Sequence, residues 1–370
     1  MAASEPYPMH GGQLRQIANR FRIPVSDLLD FSANINPAGP PPGVLHAVRA
    51  SLEDLSVFTE YPDLQELELK ESIARYAKVD IAAITVANGF VPLLEAALGA
   101  LRIRRCLLPV PAFVEYRKTL ERAGVEVEAC ALNSDSSFPY DPERLLIGAQ
   151  DAILLANPQN PTGVCHDLSQ MRELVMQALQ KKMYVFLDEA FIDYIPEHSL
   201  TSATQEFSNL IVFRSVTKFH GIPGMRVAYA VANSTISQAI SMHLPPWPIT
   251  TIASRSVCAA LADQEYANQA KASNVSQRTT LQKKLLSLKL LTYPSHANFL
   301  LFRLPYTVDP GLFWRRMILE HRIILRDCGN YEALASGHFR VAVLLPEQNE
   351  QLIDAIAATL ASSPLGQPKN

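Results

Sequence analysis

Six short, strongly apolar runs recur between residues 105 and 232: 105–110, 125–130, 152–156, 183–187, 210–213 and 227–231. Runs this short, with so few polar positions, read as strands covered on both faces and not as strands with one wet side. Helical patterns separate most of them. After Asp167, a plausible N-cap, the residues Leu168, Met171, Leu174, Val175, Ala178 and Leu179 form one apolar face, and Lys181-Lys182 close the segment. Parallel strands need such crossovers, so the pattern predicts an α/β domain around a mostly parallel central sheet. Beyond about residue 265 the rhythm changes to a long polar helix, a strand near 298–303, a helix opened by Asp309-Pro310, strands near 323–326 and 339–343, and a last helix after Pro346. That reads as a smaller α+β domain. The expected organisation is an arm over 1–50, packed on the small domain or a partner subunit, a large domain over 51–265 and a small domain over 266–370. Within the arm, Asn36-Pro37-Ala38-Gly39-Pro40-Pro41-Pro42 excludes a helix interior or a central strand.

The 370 residues are 48% hydrophobic and 19% charged, which excludes a disordered chain, a coiled coil or a collagen-like repeat. With 33 basic against 36 acidic side chains and no long single-sign run, nothing marks a nucleic-acid or anionic-membrane surface. Small-molecule partners are expected. Five widely spaced cysteines without a C-x-x-C pair suggest neither a disulfide framework nor a zinc site. The segment 1–12 lacks the basic-then-apolar pattern of a secretory leader, and the expected location is cytoplasmic. The apolar window 81–101 is interrupted by Asn88-Gly89, Pro92 and Glu95, so it reads as strand, turn and core helix instead of a membrane span.

Three segments carry the chemistry. Directly after an apolar run comes Arg214-Ser215-Val216-Thr217-Lys218-Phe219-His220-Gly221, followed by Gly224 and Arg226. A lysine flanked by hydroxyls, glycines and an arginine could surround a phosphate, and its amine could form a Schiff base with an aldehyde. A surface lysine in a strand-to-helix loop is the plainer alternative. Asp188-Glu189 ends another buried run, where a carboxylate can hold a cationic ring nitrogen or cap a following turn. The third, Asn157-Pro158-Gln159-Asn160-Pro161-Thr162-Gly163, is a rigid loop able to aim an amide, although alone it is a turn.

Together and in this order, the three segments resemble the fold-type I pyridoxal-phosphate enzymes of the aspartate aminotransferase superfamily. The resemblance implies a PLP-dependent transferase-like large domain and pyridoxal 5'-phosphate as cofactor. It implies Lys218 as the amine joined to the cofactor aldehyde, Asp188 as the partner of the pyridinium nitrogen and Asn160 as a contact of the ring hydroxyl. Ser215, Thr217 and Arg226 are implied as phosphate ligands, as are the amides at Asn88, Gly89 and Phe90, which open a helical pattern. Phe113 resembles the aromatic residue stacked on the ring. Tyr61 resembles a tyrosine that reaches the phosphate from a neighbouring subunit, implying a homodimer with shared sites. Arg340 resembles the arginine that forks onto a substrate α-carboxylate.

More narrowly, His10-Gly11-Gly12, the segment 30–37, the segment 187–196 and Ala297-Asn298-Phe299 look like the threonine-phosphate decarboxylases of the corrinoid (cobalamin) pathway. The implied reaction is decarboxylation of O-phospho-L-threonine to 1-aminopropan-2-ol phosphate, with Arg340 and Asn34 setting the carboxylate angle and Arg326 and His10 taking the substrate phosphate. A histidinol-phosphate aminotransferase is the alternative, and a phosphoserine decarboxylase another. Phe191 favours the decarboxylases, because aminotransferases usually carry a tyrosine there. Two departures stand out: Phe90 replaces a glutamate beside the cofactor phosphate, and Gln13 replaces an asparagine after His-Gly-Gly. A Rossmann dehydrogenase is disfavoured, since no G-x-G-x-x-G loop follows the first strand.

Overall fold

The apolar runs form the seven-stranded sheet of a computed structural model that describes residues 10–362; most of the segment 1–12 read for a leader lies outside these. Across the sheet the strands run Ile84–Ala87, Ala228–Val231, Leu210–Ser215, Tyr184–Asp188, Ala152–Ala156, Arg105–Val110 and Glu126–Ala131. Only Ala228–Val231 is antiparallel to its neighbours. The other pairings are parallel, as the crossovers demand. Six of the seven strands are buried along all or all but one of their positions, whereas Glu126–Ala131 at the edge has only exposed and half-buried ones. The fold class is therefore the α/β one expected. Asp167 stands at the N-cap position of helix Leu168–Gln180, but its side chain makes no capping bond. The window 81–101 resolves into strand Ile84–Ala87 and helix Phe90–Ala100, whose Leu93, Leu94 and Ala97 are buried.

A second sheet of four strands orders Arg326–Asp327, His338–Ala342, Phe299–Arg303 and Leu291–Thr292, all antiparallel. Alternation along Phe299–Arg303 divides its duties. Leu300 and Phe302 enter a core with Trp314, Phe339 and Ile356, while Leu301 joins the packing under the large sheet. The first part of the arm belongs to this smaller unit: Leu29–Asp30 pairs in parallel with Ile323–Ile324, and Ile17, Ile23 and Phe31 fill its core. After the proline crossing the packing changes. Helix Pro42–Glu53, with Pro42 at its first position, sends Val44 into a different core beside Ile73 and Val257. Residue 50 thus lies inside a helix, and residue 265 lies in the first turn of helix Gln264–Ser287.

Candidate active site

The register of the large sheet gathers the three sequence segments at one edge. Ala156, Asp188 and Phe213 sit side by side on neighbouring parallel strands, so the loops carrying Asn160, Glu189 and Lys218 leave the sheet together. Ala228 faces Ala87 on one side and Ser215 on the other, which brings Asn88-Gly89 and Arg226 to the same place. Strand ends of an open α/β sheet leave backbone groups and loops free to meet a ligand.

At this edge the groups fall into three subsets. Ser215 and Thr217 are buried, their hydroxyls 2.8 Å apart, and Lys218 Nζ donates to Ser215 Oγ at 3.1 Å. Gly89 precedes helix Phe90–Ala100 with φ +100°, and no side chain caps that helix. A Cβ on Gly89 would stand 2.8 Å from Arg226 Nη2, so its absence lets the guanidinium lie against the free amides of the first turn. Hydroxyls, a guanidinium and a helix N-terminus make a cradle for a phosphate dianion. Asn88 is exposed at its rim. Phe90 turns its ring onto Tyr116 and Phe213, with centroids 5.4 and 5.2 Å away, so the departure from glutamate serves packing and leaves the amides to the cradle.

Next to the cradle, Asp188 is 8% exposed; Oδ1 accepts from the Ala190 N–H at 2.9 Å and Oδ2 from the Tyr116 hydroxyl at 2.5 Å. Turn-capping by Oδ1 is thus observed, and it does not exclude a ligand role for the carboxylate. Burial pushes the Asp188 carboxyl above its usual range, while the Tyr116 hydroxyl and Lys218 pull it back. Such a carboxylate gains from any cation brought to it. Burial in turn lowers the Lys218 ammonium below the ordinary lysine value, with Asp188 opposing and Arg226 adding to the effect. A lysine so placed offers its neutral amine to an aldehyde. Tyr116 was not among the residues singled out from the sequence. Its one signal there is its position three after Phe113, which stands half-buried with its ring 5.5 Å from Tyr116.

The third subset comes from the small sheet and the arm. Arg340 and Arg326 lie directly opposite each other on antiparallel strands, so both side chains leave the same face, and both are buried. Arg340 Nη1 donates to Asn160 Oδ1 at 2.6 Å, Nη2 donates to the Ser32 carbonyl, and the guanidinium covers Phe299 at 5.2 Å. Arg326 donates to Asn330 Oδ1 and covers Tyr331. Two buried cations in a cross-strand pair repel, so an anion between them lowers the energy of both. Asn34 is 7% exposed and its Oδ1 has no partner, a cost that a ligand donor would relieve. His10 is half-buried, its Nε2 3.0 Å from Glu115 Oε1; burial, Lys118 and Arg326 lower its pKa and Glu115 raises it. Gln13, the other departure, takes the His10 N–H on its Oε1. Phe191 is buried edge-on, 5.0 Å away, to Phe299, the ring that Arg340 covers. Tyr61 stands apart from all these, 80% exposed and stacked on Trp247 at 4.6 Å.

Among proteins of known sequence, the family profile "Aminotransferase class I and II" matches residues 26–356. The threonine-phosphate decarboxylase of Salmonella typhimurium is 32% identical over 356 residues, covering 95% of this chain and 96% of that protein. Of solved structures, the histidinol-phosphate aminotransferase from Clostridium acetobutylicum superposes with a TM-score of 0.83 at 27% identity, over 90% of this chain and 98% of that one. The one from Sinorhizobium meliloti, solved in complex with pyridoxal-5'-phosphate, superposes with a TM-score of 0.82 at 21% identity, over 97% of this chain and 96% of that one, and shares the fold. No helix among the described residues is long and apolar enough to cross a membrane.

Proposed function

Since this chain belongs to the class I and II aminotransferase family, we propose that it uses pyridoxal 5'-phosphate to decarboxylate O-phospho-L-threonine to 1-aminopropan-2-ol phosphate, a step of corrinoid assembly. The cofactor suits the residues present: the Ser215–Thr217–Arg226–Gly89 cradle for its phosphate, Asp188 for its ring nitrogen, Phe113 for its ring face, Asn160 for its hydroxyl and Lys218 for its aldehyde. When bound, it supplies a protonated ring that accepts the electron pair left when a bond to the substrate α-carbon breaks.

The protein's part is to choose which bond breaks. Arg340, fixed by Asn160 and by the arm at Ser32, would bind the substrate carboxylate together with the Asn34 side-chain N–H and hold it in one orientation. Arg326 and His10 take the substrate phosphate. Once carbon dioxide has left, Lys218 Nζ returns a proton to the α-carbon. The Tyr116 hydroxyl and Lys218 favour the ionised form of Asp188 against the burial that opposes it.

The observation that carries this reading is the buried Arg326–Arg340 pair, which suits a substrate with two anionic groups. Phe191 supports it against transamination, because a hydrocarbon ring stands where a tyrosine hydroxyl is usual in aminotransferases. The likeness to a histidinol-phosphate aminotransferase at 27% identity supports the second reading. Carbon dioxide released from phosphothreonine without glutamate formed from histidinol phosphate plus 2-oxoglutarate is the expected result. Glutamate from the second mixture, with no gas from the first, would overturn it. Two copies pairing through the Tyr61 region complete the proposal; Leu55, Phe58 and Leu64 are also exposed there, at 73%, 60% and 58%.

A further inference from the structure

The place where the arm meets the small sheet is nearly filled. His10, Ser32, Arg326 and Asp327 line a cleft of about 10 Å³, room for a single water at most. The arm lies tight against Ser32, since a Cβ on Gly11 would fall 1.9 Å from the Ser32 carbonyl oxygen, and the Gly12 N–H donates to Ser32 Oγ at 2.9 Å. A phosphate group cannot enter between His10 and Arg326 unless a contact gives way.

One contact stands out. Glu115, on helix Val114–Arg122, points a single oxygen, Oε1, at both His10 Nε2 and Lys118 Nζ, each 3.0 Å away. A glutamate in the first turn of a helix is favourable there, and its pair with Lys118 is an ordinary i,i+3 contact. Neither accounts for the bond to His10, which comes from the distant arm. Arg326, from a third element, is close enough to lower the proton affinity of His10. One carboxylate oxygen therefore meets nitrogens from the arm and from its own helix, and His10 in turn shares its cleft with Arg326 of the small sheet.

We propose that Glu115 stands in for the substrate phosphate, occupying the anion position beside His10 and Lys118 until a phosphate monoester displaces it. This rests on the reading of His10 and Arg326 as phosphate ligands. Because the carboxylate is tethered, it competes without losing translational freedom, and only an anion of greater charge and acceptor count prevails. A phosphate monoester, with close to two negative charges and three acceptor oxygens, meets that condition; a ligand carboxylate does not. Glu115 is then a specificity-determining residue that excludes analogues with no phosphate, or with a carboxylate in its place, by competition.

The test uses cofactor-saturated enzyme, so that the cofactor's own phosphate cradle is filled. Inorganic phosphate, titrated calorimetrically, should bind Glu115→Gln about two- to fivefold tighter than wild type, the equivalent of releasing one partly exposed charge pair. Glu115→Asp, which keeps the charge but withdraws the oxygen from His10, should shift in the same direction. The KM for phosphothreonine should fall with the phosphate dissociation constant, and adding His10→Ala should cancel the gain. Unchanged or weaker phosphate binding in Glu115→Gln would overturn the proposal, as would a gain that survives His10→Ala. Phosphate binding needs no turnover: tightening in a protein that releases no carbon dioxide from phosphothreonine would retain the stand-in role and reject the decarboxylase reading.

Discussion

At Asp188 one carboxylate answers two neighbours, closing its own turn through the Ala190 N–H and accepting the Tyr116 hydroxyl on its other oxygen. The hydroxyl favours the ionised form, the form that can hold a ring cation. Tyr116→Phe removes that donor while keeping the ring contacts with Phe90 and Phe113. The carboxyl should then hold its proton to higher pH, so the acid limb of the cofactor-affinity profile moves upward. A hydrogen bond to a charged group is worth about 1.5–3 kcal/mol, so the limb should move by roughly one to two pH units. Spectrophotometric cofactor titration across pH checks this, and an unmoved limb would mean that Tyr116 only packs. Lys218 is shaped by the same burial: its lowered pKa leaves more neutral amine at neutral pH than an exposed lysine would have.

Between elements, the arm braces the lysine loop. The Asn36 N–H donates to the Lys218 carbonyl at 3.0 Å, and Asn36 Nδ2 donates to the Phe219 carbonyl and to the Tyr266 hydroxyl, both at 2.9 Å. The hydroxyl of Tyr266, near the start of helix Gln264–Ser287, in turn donates to the Gly39 carbonyl at 2.6 Å. Gly221 must be glycine for this crossing, with φ +63° and a Cβ that would fall 2.6 Å from the Gly39 carbonyl. The proline crossing is thus a strut tying the arm, the lysine loop and the helix that runs into the small domain. Asn36→Ala leaves the buried Phe219 carbonyl with less hydrogen bonding and should cost about 1–3 kcal/mol, seen as a lower thermal midpoint. Because the bond lost ends on Phe219, the neighbour of Lys218, the variant should also bind cofactor more weakly. A stability loss without an affinity loss would confine the strut to folding.

For the whole molecule, Tyr61 separates one copy from two. Its 80% exposure and the apolar residues around it fit the proposed pairing of two copies, in which each Tyr61 would serve the other's phosphate cradle. Mixing Lys218→Ala with Tyr61→Ala, each inactive alone, should restore activity, since a hybrid dimer holds one site with both residues intact. No recovery in mixtures that demonstrably exchange subunits would show that the sites are not shared. The sequence by itself determined the strands, the strand-end loops and the chemical character of Lys218, Asp188 and Asn160, because burial on both faces and turn chemistry are written in neighbouring residues. The large sheet matched those runs to within a residue or two at most ends. Only the tertiary structure paired Tyr116 with Asp188 across 72 residues, set Arg326 opposite Arg340 and gave Glu115 to His10. Those partners are fixed by strand register and by where the arm crosses, and no local preference encodes a distance between segments so far apart in the chain.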